Sequence, residues 1–422
     1  MRRKRIISTL AIACFITVLA PTAKIAHASE TQPSVVGQSA ITVDYETGEI
    51  IYAKDIDTKR YPASITKLIT GLVFAEKKQK SDTIPYTEDA KTQPAESFSA
   101  NYPGAIKVGE TMTADDVMKS LLLFSANDAA TMMADSIAGN TTDFAKLMND
   151  KAKALGLSHT HFVTPNGLHD DDHYTTAYDL SILTKAAFHN DWIKEVMGTE
   201  KAKVSISNGK SIDMTNLNNL LGKDGNIGGK TGTTSQAGKC LTSVYDRDGR
   251  KIIGVVLKST RDTGVQVFKD MNSIIDWSYK QQKSVFLPKG KTIETVKVSY
   301  KPLRFFGPTK TIDVPITLNE NIEYYKNAVN DKELKTKVIG STTNAWDLAK
   351  NSSLVKVRAS QRAYSKDYSA SAQISTSTLV KDNLGLYAIC LVVAAVVIFL
   401  ILFIINLIKA NNRKRSKKKG IF

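Results

Sequence analysis

Three short stretches carry side chains that can do acyl-transfer chemistry together: Ser64-Ile65-Thr66-Lys67, Ser125-Ala126-Asn127 and Lys230-Thr231-Gly232. The first pairs a nucleophilic hydroxyl with an amine. On a helix, positions i and i+3 share a face, so Lys67 stands one turn from Ser64 Oγ. A lysine taken out of water is pushed toward its neutral form and can act as general base toward that hydroxyl. The positive end of a helix beginning at Ser64 disfavours a protonated Lys67 and stabilises negative charge near Ser64. The Ser125 hydroxyl can relay a proton toward a leaving group, and the Asn127 amide can hydrogen-bond a peptide group. Lys230 offers positive charge to an anionic substrate end. Thr231 and Thr233 offer hydroxyl donors to a carboxylate, and Gly232 lets a bound chain approach the backbone.

Spelling alone does not select these residues. Ser-x-x-Lys occurs four times, at Ser64, Ser207, Ser353 and Ser416, and Ser-x-Asn twice, at Ser99 and Ser125; Lys-Thr-Gly occurs once. Context separates them. Only Ser64 opens an apolar helix: it follows Pro62, and Ile65, Leu68, Ile69, Leu72 and Val73 recur at helical spacing. Ser207 falls in a hairpin turn, Ser353 in a distal segment and Ser416 in a basic tail. Taken singly, the motifs read as an N-cap serine, a capped turn and a glycine loop. Their force is in the combination.

The surrounding elements must hold the three together. Residues 38–53 alternate around Glu46-Thr47-Gly48-Glu49 and predict a β-hairpin. Thr113-Ala114-Asp115-Asp116 starts a helix running through Phe124, and further helices are predicted over 129–138, 144–155 and 179–188. Beyond residue 203 the period returns to two. A hairpin turns at Asn208-Gly209, strands follow over 226–234, 239–246 and 251–258, and a helix closes the unit over 263–281. Ser125 then lies between two helices. Lys230-Thr231-Gly232 ends a strand that can dock an extended peptide edge-on. The order implies an α+β class, helices against an antiparallel sheet.

Both chain ends stand apart from this unit. Residues 1–28 have the basic, apolar, small-x-small order of a secretory signal peptide. Residues 386–408 form an apolar run long enough for a transmembrane helix, and 409–422 are a basic tail that the positive-inside rule assigns to the cytoplasm. The expected division is a catalytic domain over 29–282, a small all-β domain over 283–358 rich in Thr, Val, Ile and Tyr, and a Ser/Ala/Thr-rich flexible stalk over 359–385. Residues 29–385 would lie outside the membrane on the cell-wall side. The formal charge of +16 resides mostly in the two ends; between them 45 basic residues face 41 acidic ones, a balance near +4. A nucleic-acid partner loses its support. Cys14 and Cys390 fall in the end segments, so Cys240 has no disulfide partner and reads as a small core residue. His159, His161, His169 and His173 lie near Asp170-Asp171-Asp172, but their spacing matches no tight metal site.

Longer stretches narrow the chemistry. The trio marks class A β-lactamases and penicillin-binding proteins. Arg60-Tyr61-Pro62-Ala63-Ser64-Ile65-Thr66-Lys67-Leu68, Leu121-Leu122-Leu123-Phe124-Ser125-Ala126-Asn127-Asp128-Ala129-Ala130, His161-Phe162-Val163-Thr164-Pro165-Asn166-Gly167-Leu168 and Gly229-Lys230-Thr231-Gly232-Thr233-Thr234-Ser235-Gln236-Ala237-Gly238 resemble the D-alanyl-D-alanine carboxypeptidases, low-molecular-mass penicillin-binding proteins of the serine peptidase class. The resemblance is close over residues 35–282. It implies the penicillin-binding, β-lactamase-like transpeptidase fold and hydrolysis of the terminal D-Ala from peptidoglycan stem peptides ending in D-Ala-D-Ala. β-Lactam antibiotics are the implied inhibitors, and no metal or other cofactor is implied. It makes Ser64 the acylated nucleophile, Lys67 its proton acceptor and Ser125 a proton relay. Asn127 and Lys230 bind substrate, the backbone N–H groups of Ser64 and Thr233 form the oxyanion hole, and residues 161–168 are scaffold near the cleft. Ala126 departs from the family's frequent Gly, and its methyl is expected to narrow the cleft. A β-lactamase and a non-catalytic surface protein on the same fold remain alternatives.

Overall fold

The computed structural model describes residues 31–94, 96–260, 264–340 and 344–419. The signal-peptide segment 1–28 lies outside the described residues. An antiparallel sheet of five strands runs in the spatial order Ile50–Lys54, Ser39–Asp44, Arg250–Ser259, Gly238–Arg247, Asn226–Thr234. The middle strand carries the unbroken apolar run Ile252-Ile253-Gly254-Val255-Val256-Leu257 because both of its faces are covered. Ile252 and Val256 pack with Val267, Met271 and Ile274 of the closing helix Gln266–Lys280. Ile253, Val255 and Leu257 face the larger core on the other side.

That larger core is helical. Lys67–Ala75 is buried from Lys67 through Phe74, which is why Leu68-Ile69-Thr70-Gly71-Leu72-Val73-Phe74 shows no charged face. Asn127–Ala138, Thr141–Ala154 and Ala177–His189 surround it. Thr113 caps Ala114–Lys119 by accepting the Asp116 N–H at 3.1 Å, as the capping pattern requires. This helix does not run on regularly to Phe124: Ser120–Phe124 is a wider π turn. The helix Asp191–Met197 and the short strands Thr83–Pro85 and Thr111–Thr113 have no counterpart in the periodicity reading. Lys230-Thr231-Gly232 lies inside Asn226–Thr234 rather than at its end, and this strand is at the edge of the sheet.

A second five-stranded antiparallel sheet follows, in the order Thr292–Tyr300, Lys310–Leu318, Tyr364–Ala372, Val355–Gln361, Lys335–Gly340. This corrects the stalk expected over 359–385. Tyr364, Tyr368, Ala370 and Ala372 point into the second core while Ser365, Lys366, Asp367 and Ser369 face water. The segment has the period of a half-buried strand, masked by its small and hydroxylated residues. The helix Thr376–Lys381 occupies the rest. Leu384–Lys414 is then a helix long and apolar enough to cross a membrane, with a mean hydropathy of 3.6 over its 18-residue window.

The two sheets meet through polar contacts. Glu49 pairs with Lys283 and accepts the Tyr325 N–H at 3.0 Å. Arg362, in the turn between two strands of the second sheet, bonds both Asp57 carboxylate oxygens at 2.7 Å and also pairs with Glu333. Such forked pairs fix orientation, but partial exposure screens them. Arg362→Ala should lower stability by about 1–2 kcal/mol, seen as a thermal midpoint lower by about 2–4 °C. An unchanged midpoint would mean that this contact contributes nothing in solution.

Candidate active site

Ser64 sits in a tight turn, Ala63–Thr66, that runs directly into the helix Lys67–Ala75. The turn is braced from two sides. Ala63 has a left-handed backbone, φ 50°, uncommon for a residue with a Cβ. Its carbonyl accepts the Thr66 hydroxyl at 2.8 Å. Gly167 packs against the same carbonyl so closely that a Cβ there would lie 2.0 Å from Ala63 O, and its φ is itself 81°. From the sheet side Gly232 approaches: its Cβ would lie 2.9 Å from Pro62 O and 3.0 Å from Ser64 N. The expected use of Gly232, room for a bound chain, is therefore incomplete. Its missing side chain admits the turn that carries Ser64.

The Lys67 amine is wholly buried and reaches three oxygens: Ser64 Oγ at 2.9 Å, Asn127 Oδ1 at 2.8 Å and the Asn166 carbonyl at 2.8 Å. None is a carboxylate. Burial, and then the charge of Lys230, hold its pKa well below the usual lysine value; Glu96 and Asp128 pull weakly the other way. The neutral amine has two N–H bonds and one lone pair. Asn127 Oδ1 and Asn166 O can only accept, so they take both N–H groups. The lone pair is left facing the Ser64 hydroxyl, the arrangement of a general base.

Ser125 follows the π turn with a left-handed backbone, φ 73°, and Asn127 opens the next helix. The Asn127 N–H donates to Glu96 O at 2.6 Å. Lys230 Nζ donates to Thr231 O at 2.9 Å and meets Ser125 Oγ at 3.0 Å. Burial pushes Lys230 down to about 7, opposed by Glu96. The structure thus joins Ser64, Lys67 and Asn127 in one hydrogen-bonded set and Ser125, Lys230 and Thr231 in another. Thr231 is half-buried and Thr233 exposed on the edge strand. Ala126 is completely buried within the core. Its methyl does not reach the cleft surface, which corrects the expected narrowing.

A family model for D-alanyl-D-alanine carboxypeptidase matches residues 26–261, more than half of the chain. The chain belongs to the D-alanyl-D-alanine carboxypeptidase family. D-alanyl-D-alanine carboxypeptidase DacF of Bacillus subtilis is 29% identical over 342 residues, covering 79% of this chain and 85% of that protein. DacC of Escherichia coli is 32% identical over 273 residues, covering 63% of this chain and 67% of that protein. The crystal structure of a D-alanyl-D-alanine carboxypeptidase from Mycobacterium tuberculosis matches with a TM-score of 0.56 and 27% identity, over 61% of this chain and 96% of that one. The helical and sheet layers are those of the penicillin-binding transpeptidase fold.

Against the D-alanyl-D-alanine carboxypeptidase pattern, three contributors escape a reading by residue type. Asn166 acts through its backbone carbonyl, while its side chain is tied to Gln93 at 2.8 Å and to the Leu168 N–H at 3.0 Å. Asp128 is fully buried and accepts the Phe98 N–H at 2.6 Å and the Tyr86 hydroxyl at 3.2 Å; burial pushes it up to about 6. It ties the 96–98 segment to the start of Asn127–Ala138. His173 is tied into the scaffold: it meets Thr66 Oγ1 at 2.8 Å and accepts the Val163 N–H at 3.1 Å. Burial pushes it down to about 4, so it stays neutral. Cys240 is buried, and burial pushes its thiol up to about 11, which suits a core residue rather than a nucleophile. Gly167→Ala should cost about 2–4 kcal/mol in urea unfolding, because both the backbone angle and the clash oppose it. Wild-type stability would show that the 165–168 loop does not lean on the turn carrying Ser64.

Proposed function

We propose that this chain is a serine-type D-Ala-D-Ala carboxypeptidase acting on peptidoglycan stem peptides, with Ser64 as nucleophile and Lys67 as base. The supporting observation is the Lys67 lone pair, directed at Ser64 Oγ by two pure acceptors, 2.8 Å away on Asn127 and Asn166. Ser64 Oγ bonds to the carbonyl carbon of the penultimate D-Ala while its proton moves to Lys67. The carbonyl oxygen takes the electron pair, facing the N–H groups of Ser64 and Thr233. Collapse breaks the C–N bond. The proton taken by Lys67 passes to the leaving nitrogen, with the Ser125 hydroxyl as relay, and D-Ala departs. Water then gives a proton to Lys67 and attacks the ester, and Ser64 regains its proton as the shortened peptide leaves. A β-lactam stops at the first stage because its leaving nitrogen stays tethered.

The substrate carboxylate belongs beside Lys230 and the Thr231 and Thr233 hydroxyls, with Asn127 near the peptide amide. The edge position of Asn226–Thr234 lets an extended peptide add as a further strand. We assign residues 29–282 to the catalytic unit and the second sheet to a separate β domain beneath it. The signal segment 1–28, the apolar helix and the basic tail together support a single-pass chain with its catalytic unit on the cell-wall side.

Mass spectrometry after brief exposure to penicillin and, separately, to a D-Ala-D-Ala peptide tests the reading. A long-lived adduct on Ser64 and free D-Ala, both lost in Ser64→Ala, are expected. Rapid penicillin hydrolysis without D-Ala release would indicate a β-lactamase, and no reaction at all a non-catalytic surface protein. Lys67→Ala should slow acylation by about 10²–10⁴-fold. The pH profile follows from the two lysines. Lys67 must be neutral, so kcat/KM falls toward acid as it gains a proton. Lys230 must be charged, so kcat/KM falls as pH rises through about 7. Lys230→Arg keeps its charge and should move the alkaline limb upward; an unmoved limb would show that Lys230 does not set it.

A further inference from the structure

The loop between Thr292–Tyr300 and Lys310–Leu318 carries two aromatic side chains with no cover: Phe305 is 90% exposed and Phe306 77%. Adjacent bare phenylalanines on a folded surface mark a contact site. The loop is built rather than slack. Arg304 holds a left-handed backbone, φ 66°, and donates its N–H to Lys301 O at 2.9 Å. Trp346 Nε1 donates to the same carbonyl at 2.7 Å, and the Arg304 guanidinium lies 5.6 Å from the Trp346 ring centre. Such strain persists only where the surroundings impose it.

The loop is also fastened to the apolar helix. The Tyr387 hydroxyl donates to Pro302 O at 2.7 Å. Asn383, one residue before that helix, donates to Tyr300 Oη at 2.9 Å and accepts from Lys310 Nζ at 2.7 Å. A hydrocarbon core of about 30 Å needs about 20 helical residues, and the apolar stretch between Tyr387 and Lys409 supplies that length. Tyr387 therefore stands at the membrane–water boundary, where tyrosines concentrate. Pro302 stands with it, and Phe305 and Phe306 are within about 14 Å along the chain. Lys301, Arg304 and Lys310 flank them without an acidic residue from 301 to 310, a charge that suits phosphate-bearing headgroups.

We infer that the 301–310 loop is a membrane wedge, seating Phe305 and Phe306 in the lipid headgroup layer beside the entry of the span. This gives the β domain two attachments to the bilayer, helix and loop, and so fixes its tilt. The inference rests on the membrane-spanning reading of the apolar helix, and the experiment separates the two. The full chain is reconstituted in phosphatidylglycerol–phosphatidylethanolamine vesicles with one cysteine carrying an environment-sensitive dye and the other native cysteines changed to Ser. Phe305→Cys reports on the loop, native Cys390 on the span and Lys366→Cys on an exposed position of a strand in the second sheet. The expected result is a blue-shifted dye at 305, with iodide quenching several-fold weaker than at 366, and protection at 390. Phe306→Cys repeats the test at the neighbouring position. Quenching at 305 and 306 equal to that at 366, with 390 protected, would overturn the wedge alone. Quenching at 390 as well would remove the span and the wedge with it.

Discussion

An amino group withdrawn from water with no carboxylate to pair it is costly to keep charged. Lys67 is such a group, and the catalytic unit is organised around it. Its three neighbours come from three separate segments: Ser64 one turn back, Asn127 at the start of another helix, and Asn166 in a loop ninety-nine positions away. Two supply only acceptors, so the direction of the lone pair is settled by the fold and not by the lysine. Lys230, buried nearby, adds like charge against protonation. Asp128 is held back by its own donors, Phe98, Ala129 and Tyr86, and does not pair with either lysine.

Holding this arrangement requires strain that neighbouring parts absorb. Ala63 and Ser125 both take left-handed backbone angles. The first is braced by Gly167 from the loop and Gly232 from the sheet, two places where a single methyl group would collide with the turn carrying Ser64. The edge strand therefore closes one face against Ser64 and leaves its free edge for the peptide addition we propose. The polar contacts of Glu49 with Lys283 and Tyr325, and of Arg362 with Asp57, tie the first hairpin and the segment after it to the second-sheet region.

The Ser64–Lys67 pairing was legible in the sequence because helical spacing puts i and i+3 on one face, and the burial of Lys67 followed from the apolar residues around it. Lys230 was legible from a unique tripeptide within a strand pattern, although the strand runs on past it to Thr234. The Asn166 contribution was not, since a backbone carbonyl has no residue-type signature. The supporting role of Gly232 was read toward the substrate because the turn it packs against comes from a distant segment. The strand Tyr364–Ala372 was read as a stalk for a related reason: its inward residues are two tyrosines and two alanines, and between serines that alternation resembles a flexible linker. Ala126 shows the reverse error, where a departure from a family pattern drew attention to a methyl group that lies in the core.

The protonation state of Lys67 is the most direct test. Lysine labelled with ¹³C at Cε, assigned through Lys67→Arg, reports that state by chemical shift as pH is varied. The expected midpoint lies well below the ordinary lysine value of about 10.4, lowered by burial and by the charge of Lys230. A Lys67 that titrates near that ordinary value would contradict its role as the base toward Ser64.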